Sequence, residues 1–344
     1  MKVLIVIPYS LGICGVFSRA WSDACRYRDE GNEVWIYSSN AVKGESREKD
    51  SKELFEKQEG IKIRRFPYRK LGGESFMLWD KSWKDEAIKL EPGLIIAHCY
   101  RHPCTTQALK IARALKIKPR VDLIAHAPFI EGNVTRSFFS KIAVWLYDRT
   151  YGPWTLNKFD RIIMISAWER KYWDKLGVEK QRINYEPNTI DSVFDTSKNP
   201  LGKLGKRQVL FLGRVSPIKD LMTLLRAAER LPEVKFSIVG PIEQAYGGLL
   251  HKYIMDCKMT NVEFYPAVYD IKEKIKLIDS HKIFALPSIR EAMPIVLLEA
   301  LARKRLVIAS DNPGNREVLE DGAKGKLFPV GDYMLLTKLI REAL

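Results

Sequence analysis

Two glutamates near the end of the chain have a spacing that could serve a ligand. Glu291 and Glu299, separated by seven residues, follow the apolar run 282–286. Pro294 suits the first position of a helix, where no N–H is needed, which places Glu291 before the helix and Glu299 inside it. Ligands of parallel α/β sheets bind at the carboxyl ends of strands, so both carboxylates are predicted to face one site. Two merely solvated acids are the alternative, because acidic pairs arise often by chance.

A second polar loop, 213–219, follows the predicted strand 208–212. Its Arg214 and Lys219 would lie at the carboxyl end of that strand, beside a helix N-terminus. Such a place offers cations and free backbone N–H groups, which are what a diphosphate requires. A surface Arg and Lys would be the simpler interpretation of this loop alone. The two glutamates in the same half of the chain favour a shared anion site instead.

These two segments, E-A-M-P-I-V-L-L-E and G-R-V-S-P-I-K, resemble motifs of retaining glycosyltransferases of family 4, which have the GT-B fold. The usual family forms are E-x-F-G-x-x-x-x-E and G-R-x(4)-K. Met293 replaces the usual Phe, and Pro294 replaces the usual Gly. Proline has no N–H. If the backbone amide at this position contacts the nucleotide-sugar donor in relatives, that contact is absent here.

The resemblance implies retaining transfer of a hexose from a UDP- or GDP-sugar to a glycan or lipid-linked acceptor, without cofactor or metal. Arg214 and Lys219 would stabilise the leaving diphosphate, Glu291 would bind a sugar hydroxyl, and Glu299 the ribose. The implied catalytic residues are Arg214, Lys219, Glu291 and His126. The implied donor-binding residues are Gly15, Gly213, Arg214, Lys219, Glu291, Met293, Pro294, Ile295 and Glu299.

The first half supplies two further candidates. His126 follows the predicted strand 121–125, and a lone histidine there is as often structural as functional. In the family that the chain resembles, a histidine after this strand faces the donor sugar. The loop 9–15 has no G-x-G-x-x-G, which argues against a dinucleotide-binding oxidoreductase. In the family that the chain resembles, a glycine-containing loop here lets the backbone approach the donor diphosphate or the acceptor, and Gly15 is the best match. A plain tight turn is the alternative.

The segment 98–104 carries two histidines and two cysteines and could be mistaken for a metal site. Four ligands within such a short loop leave little room to surround one ion. We therefore predict an ordinary loop at the edge of the sheet. The five cysteines are irregularly spaced, which favours a reducing compartment over a disulfide framework.

Composition narrows the class of protein without identifying it. The 344 residues carry a formal charge of +15, which suits anionic lipid, nucleic acid or an anionic substrate. No zinc-finger, RNP or basic-zipper pattern accompanies the charge, so nucleic acid binding is disfavoured. No run approaches the roughly 18 apolar residues of a transmembrane helix, and residues 1–8 do not resemble a signal peptide. The expected location is cytoplasmic, with peripheral attachment to the membrane as an option.

The elements that would position these residues alternate between strand and helix in both halves. This predicts an α/β protein of two Rossmann-like domains facing across a cleft. Residues 1–195 would bind the acceptor and residues 196–344 the nucleotide-sugar. The aromatic and basic stretch 129–158 predicts an amphipathic helix, and packing on its own domain is favoured over contact with a membrane or lipid acceptor.

Two other classes of function share this scaffold. One is a nucleotide-sugar hydrolase, epimerase or phosphorylase. The other is a protein that binds nucleotide-sugars without catalysis, which the presence of all four charged motif residues disfavours. Product analysis with and without acceptors, and turnover of a labelled donor, separate these functions.

Overall fold

The computed structural model describes residues 1–12, 15–43, 50–70, 76–129, 138–204 and 208–344. The chain divides into two compact units, Met1–Asn188 and Thr189–Leu344. The boundary predicted from the sequence, after residue 195, lies a few residues later. Each unit is a mixed α/β body built on a parallel sheet, which confirms the predicted fold class.

The central strand of the first unit is apolar along almost its whole length and buried on both faces. Helices cover both sides of a parallel sheet, so its inner strands favour continuous runs of Val and Ile. The strands of this unit are β1 (Lys2–Leu11), β2 (Glu33–Val42), β3 (Phe55–Gln58), β4 (Ile61–Phe66), β5 (Tyr68–Lys70), β6 (Met77–Trp79), β7 (Leu94–His98), β8 (Arg120–Ile124), β9 (Arg161–Met164) and β10 (Ile183–Tyr185).

Within the described residues, eight of these strands form one sheet in the order β10-β9-β8-β7-β1-β2-β4-β3. All neighbours are parallel except β3 and β4, which are antiparallel. The helices of the unit are α1 (Gly15–Asp29), α2 (Ser82–Leu90), α3 (Pro103–Ala114), α4 (Phe138–Arg149), α5 (Tyr151–Leu156) and α6 (Arg170–Lys175). The strand order changes direction between β1 and β7.

The second unit repeats the plan with a smaller sheet. Its strands are β11 (Val209–Leu212), β12 (Phe236–Val239), β13 (Val262–Tyr265), β14 (Ile283–Leu286), β15 (Leu306–Ser310) and β16 (Lys326–Phe328). Its helices are α7 (Leu221–Glu229), α8 (Gln244–Asp256), α9 (Ile271–Asp279), α10 (Ile295–Ala302), α11 (Pro313–Val318) and α12 (Tyr333–Ala343). The sheet order is β13-β12-β11-β14-β15-β16, and every pair is parallel. The order reverses between β11 and β14.

Several local predictions were wrong. The charged, irregular composition of residues 41–60 predicts a solvated excursion, but the segment contains β3, which pairs with β4. β3 lies at the edge of the sheet, and its polar residues, such as Lys57, follow no hydrophobic pattern. An edge strand is paired on one side only and need not show the apolar run of an inner strand. The stretch 129–158 is not one helix: α4 and α5 are separated at Thr150, and residues 130–137, including Arg136, lie outside the described part.

Candidate functional site

The two charged loops of the second unit meet at its sheet edge. Lys219 ends the loop after β11, and Glu291 lies in the loop after β14, the neighbouring strand. Lys219 Nζ donates to Glu291 Oε1 at 2.5 Å, and both side chains are mostly buried. Because the sheet order reverses between β11 and β14, this ion pair occupies the position where open α/β sheets bind ligands.

The loop that carries Glu291 is fixed by polar residues at the end of β15. Asn312 Nδ2 donates to the carbonyl oxygen of Ser288 at 3.1 Å, and Ser310 Oγ donates to the same oxygen. Asn315 Nδ2 in turn donates to the Ser310 carbonyl at 2.7 Å. All four residues are buried, and buried polar groups that are hydrogen-bonded hold one defined geometry. This support could not be predicted from the sequence, because Ser288 and the residues that bind it lie in separate segments of the chain.

Close packing reinforces the same loop. A Cβ added at Gly314 would lie 2.5 Å from the carbonyl oxygens of Glu291 and Ala292. Only glycine allows α11 to approach the loop backbone this closely. The position of Glu291 therefore depends on a residue from a different segment of the chain.

Helix α10 begins one residue later than predicted. Pro294 is its N-cap, with extended backbone (φ −73°, ψ 110°), and Ile295 is the first helical residue. Proline suits either place, since neither needs its missing N–H. The N–H groups of the first turn, beginning at Ile295, have no partner within the helix and carry the positive end of its dipole. Met293 and Ile295 are half-buried beside this terminus.

Two glycines allow the loops after β11 and β12 to touch. Gly213 donates its N–H to the Val239 carbonyl at 2.9 Å. A Cβ at Gly240 would lie 2.0 Å from the Gly213 carbonyl oxygen, so the backbones are in direct contact. Arg214, the next residue, pairs through Nη1 with Glu243 Oε1 at 3.1 Å, both side chains being partly exposed. Arg214 thus lies at the same sheet edge as Lys219, as the sequence predicted.

Glu299 forms an ion pair with Lys274. It lies in α10 and is 4% exposed, and its Oε1 accepts a 2.7 Å hydrogen bond from Lys274 Nζ of α9. Its Oε2 is buried and has no hydrogen-bond partner among the described residues. Burial raises the pKa of the Glu299 carboxyl, and the charge of Lys274 opposes that rise. A buried carboxylate oxygen without a partner is suited to accept from a ligand hydroxyl.

Lys274 was not singled out from the sequence. It is one of several charged residues of α9, among them Lys272, Glu273 and Lys276, and in the sequence it is indistinguishable from a solvated helix face. Its Nζ also lies 5.7 Å from the ring centre of Phe194. Only the packing of α9 beside α10 reveals that this lysine neutralises a buried acid.

The predicted histidine of the first unit has an unpredicted partner. His126 follows β8, and its Nε2 lies 2.9 Å from Nδ1 of His98, the last residue of β7. His98 is fully buried, and His126 is partly exposed. Burial lowers the pKa of His98 to about 3 and that of His126 well below its ordinary value, and Arg19 adds to both effects. Both rings are therefore neutral at pH 7.

Gly15 is the first residue of α1, is exposed, and a Cβ there would meet no other atom. It therefore contributes to a helix N-terminus and not to the loop that we predicted. Residues 13 and 14, which complete that loop, lie outside the described part. The approach of this loop to the donor or acceptor stays a prediction.

The loop 98–104 has a structural arrangement in place of a metal cluster. Cys104 is buried, and burial raises the pKa of its thiol to about 12, so the thiolate ligand form is disfavoured. Arg101 donates through Nε to Asp148 Oδ1 at 2.8 Å, which ties this loop to α4. Among the residues that the structure describes, no group of three or more His, Cys, Asp or Glu could hold a metal ion.

Helix α4 packs on its own unit through Tyr147 and Asp148, but its aromatic face is exposed, contrary to the predicted packing. Phe138 and Phe139 are 71% and 81% exposed, and Trp145 is 53% exposed. Arg149 lies over the Trp145 ring at 4.6 Å, and Lys158 lies over the Trp154 ring. The preference for core packing was wrong for this face, because only the tertiary structure shows which side of an amphipathic helix has a partner. Within the described residues, no helix is long and apolar enough to cross a bilayer.

Family models match both halves of the chain. A model described as Glycosyltransferase Family 4 matches residues 15–194, and one described as Glycosyl transferases group 1 matches residues 193–344. The first of these covers more than half of the chain. The two models meet close to the boundary between the two structural units.

Two curated relatives show sequence similarity over part of their length. A phosphatidyl-myo-inositol mannosyltransferase of Mycobacterium leprae is 30% identical over 224 residues, which are 60% of this chain and 56% of the relative. A putative glycosyltransferase, EpsD of Bacillus subtilis, is 32% identical over 130 residues, 36% of this chain and 32% of the relative. The matched segments thus span about half of these relatives or less.

Solved structures resemble the whole chain. Sucrose-phosphate synthase of Thermosynechococcus elongatus has a TM-score of 0.75 at 15% identity, covering 99% of this chain and 89% of that one. Alr3699/HepE of Anabaena, solved with UDP and glucose, has a TM-score of 0.71 at 19% identity with the same coverage. At these identities the likeness shows the fold, and it agrees with the predicted GT-B class.

Proposed function

Because this chain belongs to glycosyltransferase family 4, we propose that it is an enzyme that transfers a hexose, with retention of anomeric configuration, from a nucleotide-diphosphate sugar to a glycan or lipid-linked acceptor. The observation that carries this proposal is the Lys219–Glu291 ion pair at the reversal point of the second sheet. The same unit holds Glu299, whose Oε2 lacks a partner within the described residues. A cation, a sugar-binding acid and a ribose-binding acid then belong to one donor site.

The proposed reaction breaks the C1–O bond to the diphosphate and forms a new bond from the acceptor oxygen to C1 on the same face. Negative charge grows on the leaving phosphate, which accepts the acceptor's proton. Lys219 and Arg214 stabilise that charge where water is excluded, and this stabilisation is larger in the transition state than in the ground state. Lys219 must turn from Glu291 toward the diphosphate, which leaves Glu291 to accept from a sugar hydroxyl.

The names of similar proteins narrow the substrates to test. One relative is a phosphatidyl-myo-inositol mannosyltransferase, and one structural neighbour was solved with UDP and glucose. We propose a UDP- or GDP-hexose as donor and a lipid-linked saccharide or glycan as acceptor. Nucleic acid is not proposed as a partner, because the sequence contains no matching motif.

The test is a panel of UDP- and GDP-hexoses, each with and without candidate acceptors. Donor consumption that depends on the acceptor, with an α-linked product from an α-linked donor by NMR, supports the proposal. Free sugar formed equally without acceptor would instead indicate a hydrolase, and a changed donor sugar an epimerase. Nucleotide binding without turnover of an isotope-labelled donor would indicate a binding protein.

Metal independence is one prediction of this mechanism. The sequence contains no Asp-x-Asp pair of the kind that holds a divalent ion on a sugar diphosphate, and the proposed counter-charges are Arg214 and Lys219. Activity is expected to survive excess EDTA within about twofold, because side-chain cations replace the metal charge. Loss of activity on chelation that Mg²⁺ or Mn²⁺ restores would contradict the assignment of these two cations.

A second prediction concerns the carboxylate of Glu299. Replacing Lys274 by methionine removes the cation that opposes the rise in the Glu299 pKa, so more of this acid is protonated near neutral pH. Affinity for the nucleoside diphosphate product is expected to fall about 10-fold by calorimetry, and the loss is expected to shrink as pH is raised. Lys276→Met, an exposed site on the same helix, is the control. An equal effect of the two substitutions would reject a specific role for Lys274.

We also propose that the protein is cytoplasmic and attaches peripherally to an anionic membrane through α4. The exposed rings of Phe138, Phe139 and Trp145 and the adjacent Arg149 support this proposal. The net charge of +15 would add long-range attraction to acidic lipid. Each basic group near such a surface contributes about 1 kcal/mol, and inserted rings add an apolar term.

Vesicle co-sedimentation should therefore require anionic lipid and weaken as salt rises, since salt screens the charge term. Replacing Phe138, Phe139 and Trp145 by serine is expected to reduce binding about 10-fold or more. The matched control is Met255→Ser with Tyr269→Ser, two exposed apolar sites in the other unit. Unchanged lipid affinity of the triple variant, with its Tm preserved, would remove α4 as the attachment surface.

A further inference from the structure

The pairing of His98 with His126 restricts the protons that these rings can carry. His98 Nδ1 and His126 Nε2 are 2.9 Å apart, and the ring planes are inclined by 27°, with centroids 5.1 Å apart. Two neutral rings can share this hydrogen bond in two ways. Either His98 donates from Nδ1, or His126 donates from Nε2.

The other nitrogen of His98 distinguishes these arrangements. His98 Nε2 is buried without a hydrogen-bond partner among the described residues. If His126 donated, the proton of neutral His98 would sit on Nε2 as a buried N–H with no acceptor. If His98 donates, only a lone pair is left there. Orphaned buried N–H groups are the rarer and costlier of the two, so His98 is the donor.

We propose that His98 is a positioning residue that holds His126 in the tautomer protonated at Nδ1, so that His126 meets the transferred sugar as a hydrogen-bond donor. This inference rests on the proposed function, together with the position facing the donor sugar that the family resemblance implies for His126. Because His98 occupies the Nε2 lone pair, His126 has no basic nitrogen left for the acceptor's proton. That proton therefore passes to the leaving phosphate, as the retaining mechanism requires.

The backbone around the pair is built to keep it in place. Cys99 N–H donates to the Ile124 carbonyl at 2.9 Å, and Arg101 Nη1 donates to the Pro128 carbonyl at 3.1 Å, so the loops after β7 and β8 are joined on both sides of the rings. Cys99 and His126 have φ of 73° and 59°. Non-glycine residues adopt this left-handed region at a cost, which the surrounding bonds must offset.

Thr105, a buried residue of α3, holds the backbone of His98 and Cys99. Thr105 Oγ1 lies 2.9 Å from the His98 carbonyl oxygen and 2.6 Å from that of Cys99. His98 has no exposed surface, so its ring has no room to turn away from His126. The direction of the His98 Nδ1–H bond is set by the fold and not by the ligand.

The direct test is ¹⁵N NMR of the protein labelled at histidine, with the five histidines assigned by single substitutions. We expect both His98 and His126 to show the pattern of a neutral ring protonated at Nδ1. Free histidine prefers the Nε2–H form, so the expected result is not the default. A His126 ring protonated at Nε2, or at both nitrogens at pH 7, would overturn the inference whether or not any donor is turned over.

Two substitutions test the consequence for activity. Asparagine at position 98 places an amide N–H where Nδ1–H was, whereas leucine of similar size cannot donate. We expect His98→Leu to return His126 to the Nε2–H form and to lower kcat by about 10- to 100-fold, with nucleoside diphosphate affinity unchanged. His98→Asn should keep the tautomer and retain activity within about threefold.

A merely structural role for His98 would lower Tm and activity together in both variants and leave the His126 tautomer unchanged. That pattern would overturn the inference. If His98→Leu fails to fold, the spectrum of the unmodified protein and of His98→Asn still decides the tautomer. His251→Asn, at a histidine of the other unit, is the control for the effect of labelling and substitution.

Discussion

Replacing Lys219 with alanine is expected to lower kcat/KM by about 10²-fold or more. The residue lies where charge develops on the leaving diphosphate, and removing one donor to such a charge has an effect of this size in other enzymes. Its ion pair with Glu291 is mostly buried, so the substitution also leaves a carboxylate without its partner. A fall in Tm of only a few degrees is expected, because the pair keeps some contact with water.

A double variant separates these two effects. Lys219→Ala with Glu291→Gln removes the unpaired charge, so Tm should recover while activity stays low. Lys252→Ala is the matched control, since this lysine also forms an ion pair, with Asp256, but on the exposed face of α8. Full activity of the Lys219→Ala enzyme in a steady-state assay would reject the diphosphate site.

Replacing Gly314 with alanine is the second change with a large expected effect, although Gly314 is not a proposed ligand-binding residue. The new Cβ would lie 2.5 Å from the carbonyl oxygens of Glu291 and Ala292, and backbone atoms cannot swing aside as a side chain would. The loop carrying Glu291 must move, and a displacement of about 1 Å at a reacting centre can cost about 10²-fold in rate. Overpacking should also lower the free energy of unfolding by about 1–3 kcal/mol.

The control for this substitution is Gly248→Ala. Gly248 also lies in a helix, and a Cβ there would meet no atom within 4 Å. Assays well below the lowered Tm, with saturating donor, separate loss of geometry from loss of folded protein. Gly314→Ala with a normal kcat, or Gly248→Ala with an equally impaired one, would show that the tight contact does not position Glu291.

The sequence was informative wherever a segment's own composition decides its structure. Continuous apolar runs predicted the inner strands, because a strand covered by helices on both faces has no solvent-exposed side that would favour polar residues. The charged loops after β11 and β14 could be assigned to one sheet edge, because parallel strands end on the same side. Edge strand β3 was missed for the opposite reason: its exposed polar residues follow no pattern that distinguishes strand from loop.

What the sequence determined by itself is thus the fold class, and it predicts Lys219, Glu291, Glu299 and His126 as site residues. Only the tertiary structure decided their partners. Lys274 reaches Glu299 from another helix, His98 reaches His126 from another strand, and Gly314 supports Glu291 from a later segment. The exposed face of α4 is a result of the same kind. Local periodicity is encoded within a few residues, whereas burial and hydrogen bonding depend on which distant segments the folded chain brings together.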